Sequence, residues 1–494
     1  MEANLRLGDC FMDLFFNRDK NKQTDMDYLK KFLFEDNNKH VYFIGIGGIS
    51  MSGLAEILLN LGYKVSGSEI VPSNITKKLE EKGAKIYYNH KEENINDVPD
   101  LVVYTAAIKS DNPELMKASS YNIPIIDRAT LLGLIMRRYP YSIAISGTHG
   151  KTTTTSMIAM IMLESGLDPT IHIGGELSFI GGTTRIGNSS YFVTEADEYC
   201  ESFLKLQPYI GVILNIEFDH PDYYKDLEHI KNSFKKFAQL VPKNGYVIIC
   251  TDNVNSCSIL HDIEANIITY GIDNNENTKK YTFTAKDTAL NKESGCASYT
   301  LLKNGLPLDI IELKVAGIHN VYNSLAAIAA CYQLGCGIER AKQALLKFKG
   351  VHRRFELKGI SDNIRVIDDY AHHPSEIRAT LKTAKFNNNG RIWCVFQPHT
   401  FSRTKYLLDD FASALSGADT VILADIFAAR EISNGDINSK LLAEKINRNG
   451  GNAIYIPEFE AICHYLRNNA MPGDLIITMG AGDIYKAGDM FLNG

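Results

Sequence analysis

The stretch that most constrains this chain is Gly147-Thr148-His149-Gly150-Lys151-Thr152. An apolar run, Tyr141 to Ile145, enters it, and a helical run, Thr153 to Glu164, leaves it. Strand, glycine-rich turn and helix in that order make a phosphate cradle, because the first turn of a helix offers unpaired N–H groups and positive charge. Gly147 and Gly150 let the backbone close on a phosphate where a Cβ would clash. Lys151 can reach the terminal phosphates, and the Thr152 hydroxyl can hold Mg²⁺. The turn is short, with two residues between its glycines where the general pattern has four. A chain built on such a unit needs a parallel sheet with helices on its faces.

At 494 residues the chain has room for roughly three domains of ~150 residues each. A net charge of −6 argues against a general nucleic-acid binder, but not against an anionic ligand held locally. The 9 cysteines include no Cys-x-x-Cys pair, which fits a reducing cytoplasm and free thiols rather than a disulfide framework or a zinc site. No apolar run approaches the ~20 residues of a membrane span. The expectation is a cytoplasmic protein without a membrane span or nucleic-acid partner; the sequence sets no oligomeric state.

Residues 1–38 are weakly patterned, with a short helix expected over Asp27 to Phe34. His40 to Ile44 reads as a buried strand, and Gly45-Ile46-Gly47-Gly48-Ile49-Ser50 follows it, then a helix from Leu54 to Leu61. This is a dinucleotide-type turn with Ser50 at the third glycine position. A strand over Lys64 to Gly67 ends in Ser68-Glu69, and strands at Leu101 to Thr105 and Ile123 to Asp127 extend the sheet. NAD is the obvious ligand for the turn, but a UDP-sugar is the preferred reading, because a diphosphate on a helix N-terminus needs no nicotinamide. Thr105 sits at a strand's carboxyl end, where open parallel sheets bind ligands.

In the middle of the chain, Tyr191 to Thr194 and Ile210 to Asn215 read as strands ending in Glu195-Ala196-Asp197-Glu198 and Glu217-Phe218-Asp219-His220. Carboxylates just past strand ends, beside a phosphate loop, are placed for Mg²⁺. More strands are expected at Gly245 to Cys250, Asn266 to Tyr270 and between Tyr281 and Val315, before a helix from Val321 to Leu334. Asn320 and Asn323 lie one turn apart and can share a ligand face; a cap plus an exposed amide is the plainer reading.

Arg353-Arg354 stands at the next junction, where two arginines can clamp a phosphate. Five strands follow, at Ile364 to Asp368, Arg391 to Phe396, Thr420 to Ala424, Ala453 to Ile456 and Asp474 to Met479. Polar signatures close several of them, among them Asp369-Tyr370-Ala371-His372-His373-Pro374 and Gln397-Pro398-His399. The adjacency of His372 and His373 favours capping or substrate contact over a shared metal ion.

Taken together, these stretches resemble the Mur ligases, from about Val41 to Met490. The signatures are Gly45-Ile-Gly-Gly with Met51-Ser52-Gly53, the phosphate loop, Glu195-Ala-Asp-Glu, Asn215-Ile-Glu with Asp219-His220, His319-Asn320 with Asn323, Arg353-Arg354-Phe355-Glu356, and Asp369-Tyr-Ala-His-His-Pro. The resemblance implies an α/β fold of three domains: a Rossmann-like UDP-sugar domain over 1–139, a P-loop ATPase-like domain over 140–348, and a Rossmann-like amino-acid domain over 349–494. It implies ATP and Mg²⁺ as cofactors, with UDP-N-acetylmuramate and L-alanine as substrates joined through an acyl phosphate in peptidoglycan precursor synthesis.

Gly45, Gly47, Gly48, Ile49, Ser50, Ser68 and Thr105 would then hold the UDP-sugar. Gly147, Thr148, His149, Gly150, Lys151, Thr152 and Thr153 would hold the ATP phosphates, and His319, Asn320, Asn323 and Arg353 the rest of the nucleotide. Thr152 and Glu195 would share one Mg²⁺, and His220 would serve a second. Lys151, Glu195, His220 and Arg354 would carry the catalysis, with His372, His399 and Arg403 on the amino acid. One departure stands out: many members read Gln-Pro-His-Arg where this chain has Thr400, which implies a thinner or rebuilt carboxylate clamp. The general base is open between His220 and His372. The rivals are a paralogue ligating a preformed peptide to the same UDP-sugar, an NAD-dependent oxidoreductase resting on the first turn alone, and a non-catalytic nucleotide-binding module.

Overall fold

The computed structural model describes Leu29 and residues 38–105, 107–273, 281–429 and 431–494. Leu29 apart, the helix expected over Asp27 to Phe34 lies outside the described residues. Three sheets follow one another along the chain.

The first sheet has five parallel strands, in the spatial order Lys85–Tyr87, Lys64–Ser68, His40–Ile44, Leu101–Tyr104, Ile125–Asp127. His40–Ile44 and the Leu101-Val102-Val103 run are buried on both faces, so they read as continuous apolar stretches rather than alternating ones. The strand order reverses beside His40–Ile44, and the Gly45 turn opens there. That is the switch point at which such sheets bind ligands.

The second sheet has ten strands, with a parallel centre in the order Asn266–Ile272, Tyr246–Cys250, Ile210–Ile213, Tyr141–Ser146, Tyr191–Glu195, Thr170–Leu177. Gly182–Arg185 closes one edge antiparallel, and Phe283–Leu290, Cys296–Lys303 and Leu306–Ala316 extend the other. The outer strands alternate as a half-covered antiparallel sheet must: Ala297, Tyr299 and Leu301 are buried while their neighbours are partly exposed. The phosphate-loop strand lies at the middle, so the loop again occupies the point of reversal.

The third sheet has six strands, in the order Glu356–Ser361, Ile364–Asp369, Leu475–Met479, Ile392–Phe396, Thr420–Leu423, Ala453–Tyr455, parallel except for the first pair.

The first two sheets share one buried cluster that runs from Leu54, Leu131 and Ile135 to Phe192, Phe203 and Phe237. Close approach needs small residues at two places. A Cβ on Gly53 would stand 2.2 Å from Thr184 Oγ1, and one on Gly133 would stand 2.2 Å from the Lys205 carbonyl oxygen. The Met51-Ser52-Gly53 signature therefore marks a helix pressed against the second sheet. A cleft of about 1080 Å³ lies between the second and third sheets.

Candidate active site

The phosphate loop is built as its sequence requires. Gly147 (φ +141°) and Gly150 (φ +85°) occupy backbone conformations that side chains rarely adopt. A Cβ on Gly150 would also meet Asn323 Oδ1 at 2.7 Å. Gly150 caps the helix Lys151–Glu164 without any side-chain acceptor, so the first N–H groups of that helix stay available to an anion. Lys151 Nζ donates to the Gly147 carbonyl at 2.6 Å and to Glu198 Oε2 at 2.7 Å.

Around this cradle the expected metal ligands converge. The Thr152 hydroxyl donates to Glu195 Oε2 at 3.2 Å, and Gly174 N–H donates to Glu195 Oε1 at 2.9 Å. Burial pushes the Glu195 carboxyl above the usual carboxylate range despite Lys151 nearby. His220, at φ +54°, brings Nε2 to 4.0 Å from Glu198 Oε1, and its ring lies tilted against Tyr199, with centroids 4.8 Å apart. Glu198 is buried, and burial raises its carboxyl as well. Its position between Lys151 and His220 makes it a member of the site through a pairing that lies beyond local sequence.

The far wall is the start of the helix His319–Gln333. His319 Nδ1 is buried without a hydrogen-bond partner, and burial lowers the ring to about 4, so it is neutral near pH 7. Asn320 donates to the Ala316 carbonyl, and Asn323 donates to Asn320 Oδ1 while accepting from Thr154. All three line the cleft, as do His149, Gly150, Thr153 and Arg354. Arg354 Nη1 stands 3.5 Å from Glu376 Oε1. Arg353 is oriented differently: it donates to Asp368 at 2.8 Å and to the Gly480 carbonyl at 2.7 Å, bracing the third sheet.

In the first domain, Gly48 caps the helix Ile49–Asn60 without a side-chain acceptor. Gly45 and Ile46 N–H groups donate to the Ser68 carbonyl, and Thr105 lies against Gly45. Gly47 N–H donates to Glu69 Oε2 at 3.0 Å, so the acidic residue after the second strand pins the turn itself. The Ser68 hydroxyl donates to buried Glu114. Ser50 Oγ accepts from Arg128 Nη1 at 2.9 Å and lies 2.9 Å from His172 Nε2 of the central domain. Arg128 and His172 were not singled out from sequence. They lie 78 and 122 residues from Ser50, beyond the reach of any local pattern.

The third-domain corner joins the central domain directly. Arg403 makes a two-point contact with Asp219, Nε to Oδ1 at 2.8 Å and Nη2 to Oδ2 at 3.3 Å, and Nη1 lies 3.0 Å from His399 Nδ1. Thr400 accepts from the Arg403 N–H and caps the short helix Phe401–Tyr406. His372 Nδ1 lies 3.0 Å from the Tyr370 carbonyl oxygen, and burial lowers the ring to about 3. His373 caps the helix Pro374–Phe386 in a reciprocal box with Glu376. The two adjacent histidines thus divide, one facing the corner and the other ending a helix.

Family models match along the chain in order: "Mur ligase family, catalytic domain" over 40–140, "Mur ligase middle domain" over 145–331, and "Mur ligase, glutamate ligase domain" over 353–482. The chain is 65% identical, over 92% of its length and 96% of the relative's, to a UDP-N-acetylmuramate–L-alanine ligase of Acetivibrio thermocellus. It is 50% identical to the protein of that name from Caldanaerobacter subterraneus subsp. tengcongensis, over 92% and 97% of the two chains. Among solved structures it superposes on a UDP-N-acetylmuramate–alanine ligase of Thermotoga maritima with a TM-score of 0.75 at 31% identity, covering 92% and 98% of the chains. A murein peptide ligase of Psychrobacter arcticus superposes with a TM-score of 0.67 at 26% identity, over 92% and 98%.

Proposed function

Because the chain belongs to the Mur ligase family, we propose that it joins L-alanine to the carboxylate of UDP-N-acetylmuramate at the expense of ATP, a step of peptidoglycan precursor synthesis in the cytoplasm. The observation that carries the reading is the convergence at one loop of Lys151, the Thr152–Glu195 pair and the open helix N-terminus, with Ser50 reaching the central domain through His172. The peptide-adding alternative is not favoured, since relatives 65% and 50% identical carry the alanine name. Domain limits at 139 and 348 belong to the same proposal.

The residues fit the groups the reaction needs. Gly147 and Gly150 hold backbone conformations that side chains rarely adopt, the helix they open has no side-chain cap, and the unpartnered His319 Nδ1 offers a polar contact to a nucleoside. Thr152 and Glu195 offer hard oxygens already in contact, and His220 stands beside Glu198 for a second ion. Mg²⁺ bound there supplies positive charge to the phosphate oxygens and orients them.

A carboxylate resists attack because its charge is delocalised; its acyl phosphate has a good leaving group. Phosphoryl transfer asks the chain for position and charge, which Lys151 supplies from the loop and Arg354 from the opposite wall. The first-domain turn holds the diphosphate of the UDP-sugar and so places its carboxylate at the loop. Arg403 exchanges Asp219 for the carboxylate of alanine, and Thr400 holds the backbone of that clamp. The amine attacks unprotonated, with His220 and His372 as the base candidates; burial, which lowers the His372 ring to about 3, makes that ring the weaker proton acceptor.

The test is phosphate release from ATP by the purified chain with UDP-N-acetylmuramate and single amino acids. Release that requires both UDP-N-acetylmuramate and L-alanine is expected. Release that responds only to a peptide, or needs no acceptor, overturns the proposal.

A further inference from the structure

Beside the phosphate loop, and apart from the Thr152–Glu195 pair, three potential ligands from two domains meet. His149 comes from the loop, Glu217 from the end of the next central strand, and His373 from the third domain. His149 Nε2 lies 3.4 Å from Glu217 Oε2, and His373 Nδ1 lies 3.7 Å from the same oxygen. The three ligand atoms all fall within 4.8 Å of one another. Ligand atoms around a tetrahedral zinc ion, with bonds of about 2.0–2.1 Å, stand about 3.3–3.4 Å apart. Two histidines and a glutamate are also a ligand set that zinc accepts with one position left open.

The far side of each imidazole carries the second observation. His149 Nδ1 lies 3.3 Å from Glu376 Oε1, and His373 Nε2 lies 3.3 Å from the Phe218 carbonyl oxygen. A metal-bound histidine nearly always gives its other N–H to a carboxylate or a backbone carbonyl, which fixes the tautomer and aims the free nitrogen at the ion. Here both rings have such a partner, and both remaining nitrogens point towards Glu217.

We propose that His149, Glu217 and His373 form a site for a zinc-class divalent cation that ties the phosphate loop to the third domain. Binding replaces the proton shared between His149 and Glu217, so it releases a proton. It also exchanges the 3.3 Å bond from Ser375 N–H to His373 Nδ1, and the contact of the Ser375 hydroxyl with Glu217, for bonds to the ion. Because the ligands span the cleft, the bound ion holds the two domains together. It does not occupy the Thr152–Glu195 position, which offers only hard oxygens suited to Mg²⁺.

The experiment titrates Co²⁺, a coloured stand-in for zinc, into the full-length apo protein and then displaces it with Zn²⁺. Three variants are compared with the parent. Glu217→Gln keeps the shape of the side chain. His373→Asn keeps a helix-capping side chain while removing the imidazole. His220→Ala removes the histidine of the neighbouring Mg²⁺ region. The expected result is one equivalent of Co²⁺ with the intense visible absorption of tetrahedral coordination, displaced by Zn²⁺ and insensitive to excess Mg²⁺. Affinity falls at least ~10-fold in Glu217→Gln and His373→Asn, the scale seen when even an outer partner is lost, and holds in His220→Ala. Weak octahedral absorption, an unchanged titration in both ligand variants, or loss of the signal in His220→Ala overturns the site.

Discussion

Two glycine-rich turns in this molecule share one backbone device and differ in what surrounds it. Gly45 to Gly48 and Gly147 to Gly150 each follow a central parallel strand, each sit at the reversal of strand order, and each open a helix whose N-terminus lacks a side-chain cap. The first turn is ringed by Glu69, Ser68 and Arg128, and its helix begins Ile49-Ser50. The second has Lys151 as the first helical residue, then Thr152, with Glu195, Glu198 and His220 behind. A bare helix N-terminus is enough to hold a diphosphate. Moving a phosphoryl group needs charge that follows the transferring oxygens, and only the second turn has a lysine and metal-ready oxygens. The contrast separates binding from chemistry within one fold device.

The largest expected effect breaks the second turn. Lys151→Ala should lower turnover by at least ~100-fold, the scale of losing one preorganised charge-stabilising donor. It also leaves Glu198 buried without its partner, so thermal stability falls. Lys151→Met with Glu198→Gln removes both charges. That double variant should recover melting temperature without recovering turnover; recovery of both would reduce Lys151 to a structural role.

Glu195→Gln should come next. Its Mg²⁺ activation curve should shift to at least ~10-fold higher concentration, because an amide oxygen is a weaker ligand for a hard cation. The UDP-sugar binding curve should stay in place, since the Glu195 carboxylate contacts Gly174 and Thr152 and not the first turn. An unmoved Mg²⁺ curve removes Glu195 from the metal site.

Arg128→Ala tests the first turn. It should raise KM for the UDP-sugar several-fold with kcat nearly unchanged, the signature of lost uniform binding. An equal fall in kcat and kcat/KM would mean that Arg128 acts on the transition state, and the contrast between the turns would fail.

The smallest effect concerns pH and the contact between the central and third domains. Burial disfavours the charged His149 ring, but Glu376 and Glu217 outweigh it and raise the ring to about 10. Burial likewise raises the Glu217 carboxyl, and the hydrogen bond and charge of His149 outweigh it, lowering the group to about 2. A raised histidine stabilises fully below its unfolded value of about 6.5 and loses that contribution as pH rises through about 10. A depressed carboxylate stabilises above about 4.5 and loses its contribution as pH falls through about 2. The melting temperature difference between the parent and Glu217→Gln should therefore be widest between pH 4.5 and 6.5 and narrow on both sides. A difference that is flat with pH contradicts the pairing.

What sequence made legible follows from range. The phosphate loop is local, so its glycines, lysine and threonine could be read from neighbours in the chain. Glu195 and His220 could be read because strand ends in a parallel sheet face one edge. Glu198 fell in the same cluster, yet its role depends on Lys151, 47 residues away. The Arg403–Asp219 pair spans 184 residues and two domains, and nothing in the local pattern near Thr400 announces it. Thr170–Leu177 and Gly182–Arg185 carry no clear strand pattern, because glycine and threonine blur the apolar alternation. Arg353 and Arg354 looked equivalent as a pair; the structure turns one to Asp368 and the other to the cleft.

The claim that the second turn does chemistry while the first only holds the sugar nucleotide is tested most directly by an isotope. UDP-N-acetylmuramate labelled with oxygen-18 in its carboxylate is turned over with ATP and L-alanine, and the released phosphate is examined by mass spectrometry. If the phosphoryl group passes through the carboxylate, one labelled atom appears in phosphate for each amide formed. Unlabelled phosphate accompanying labelled amide product would contradict the account.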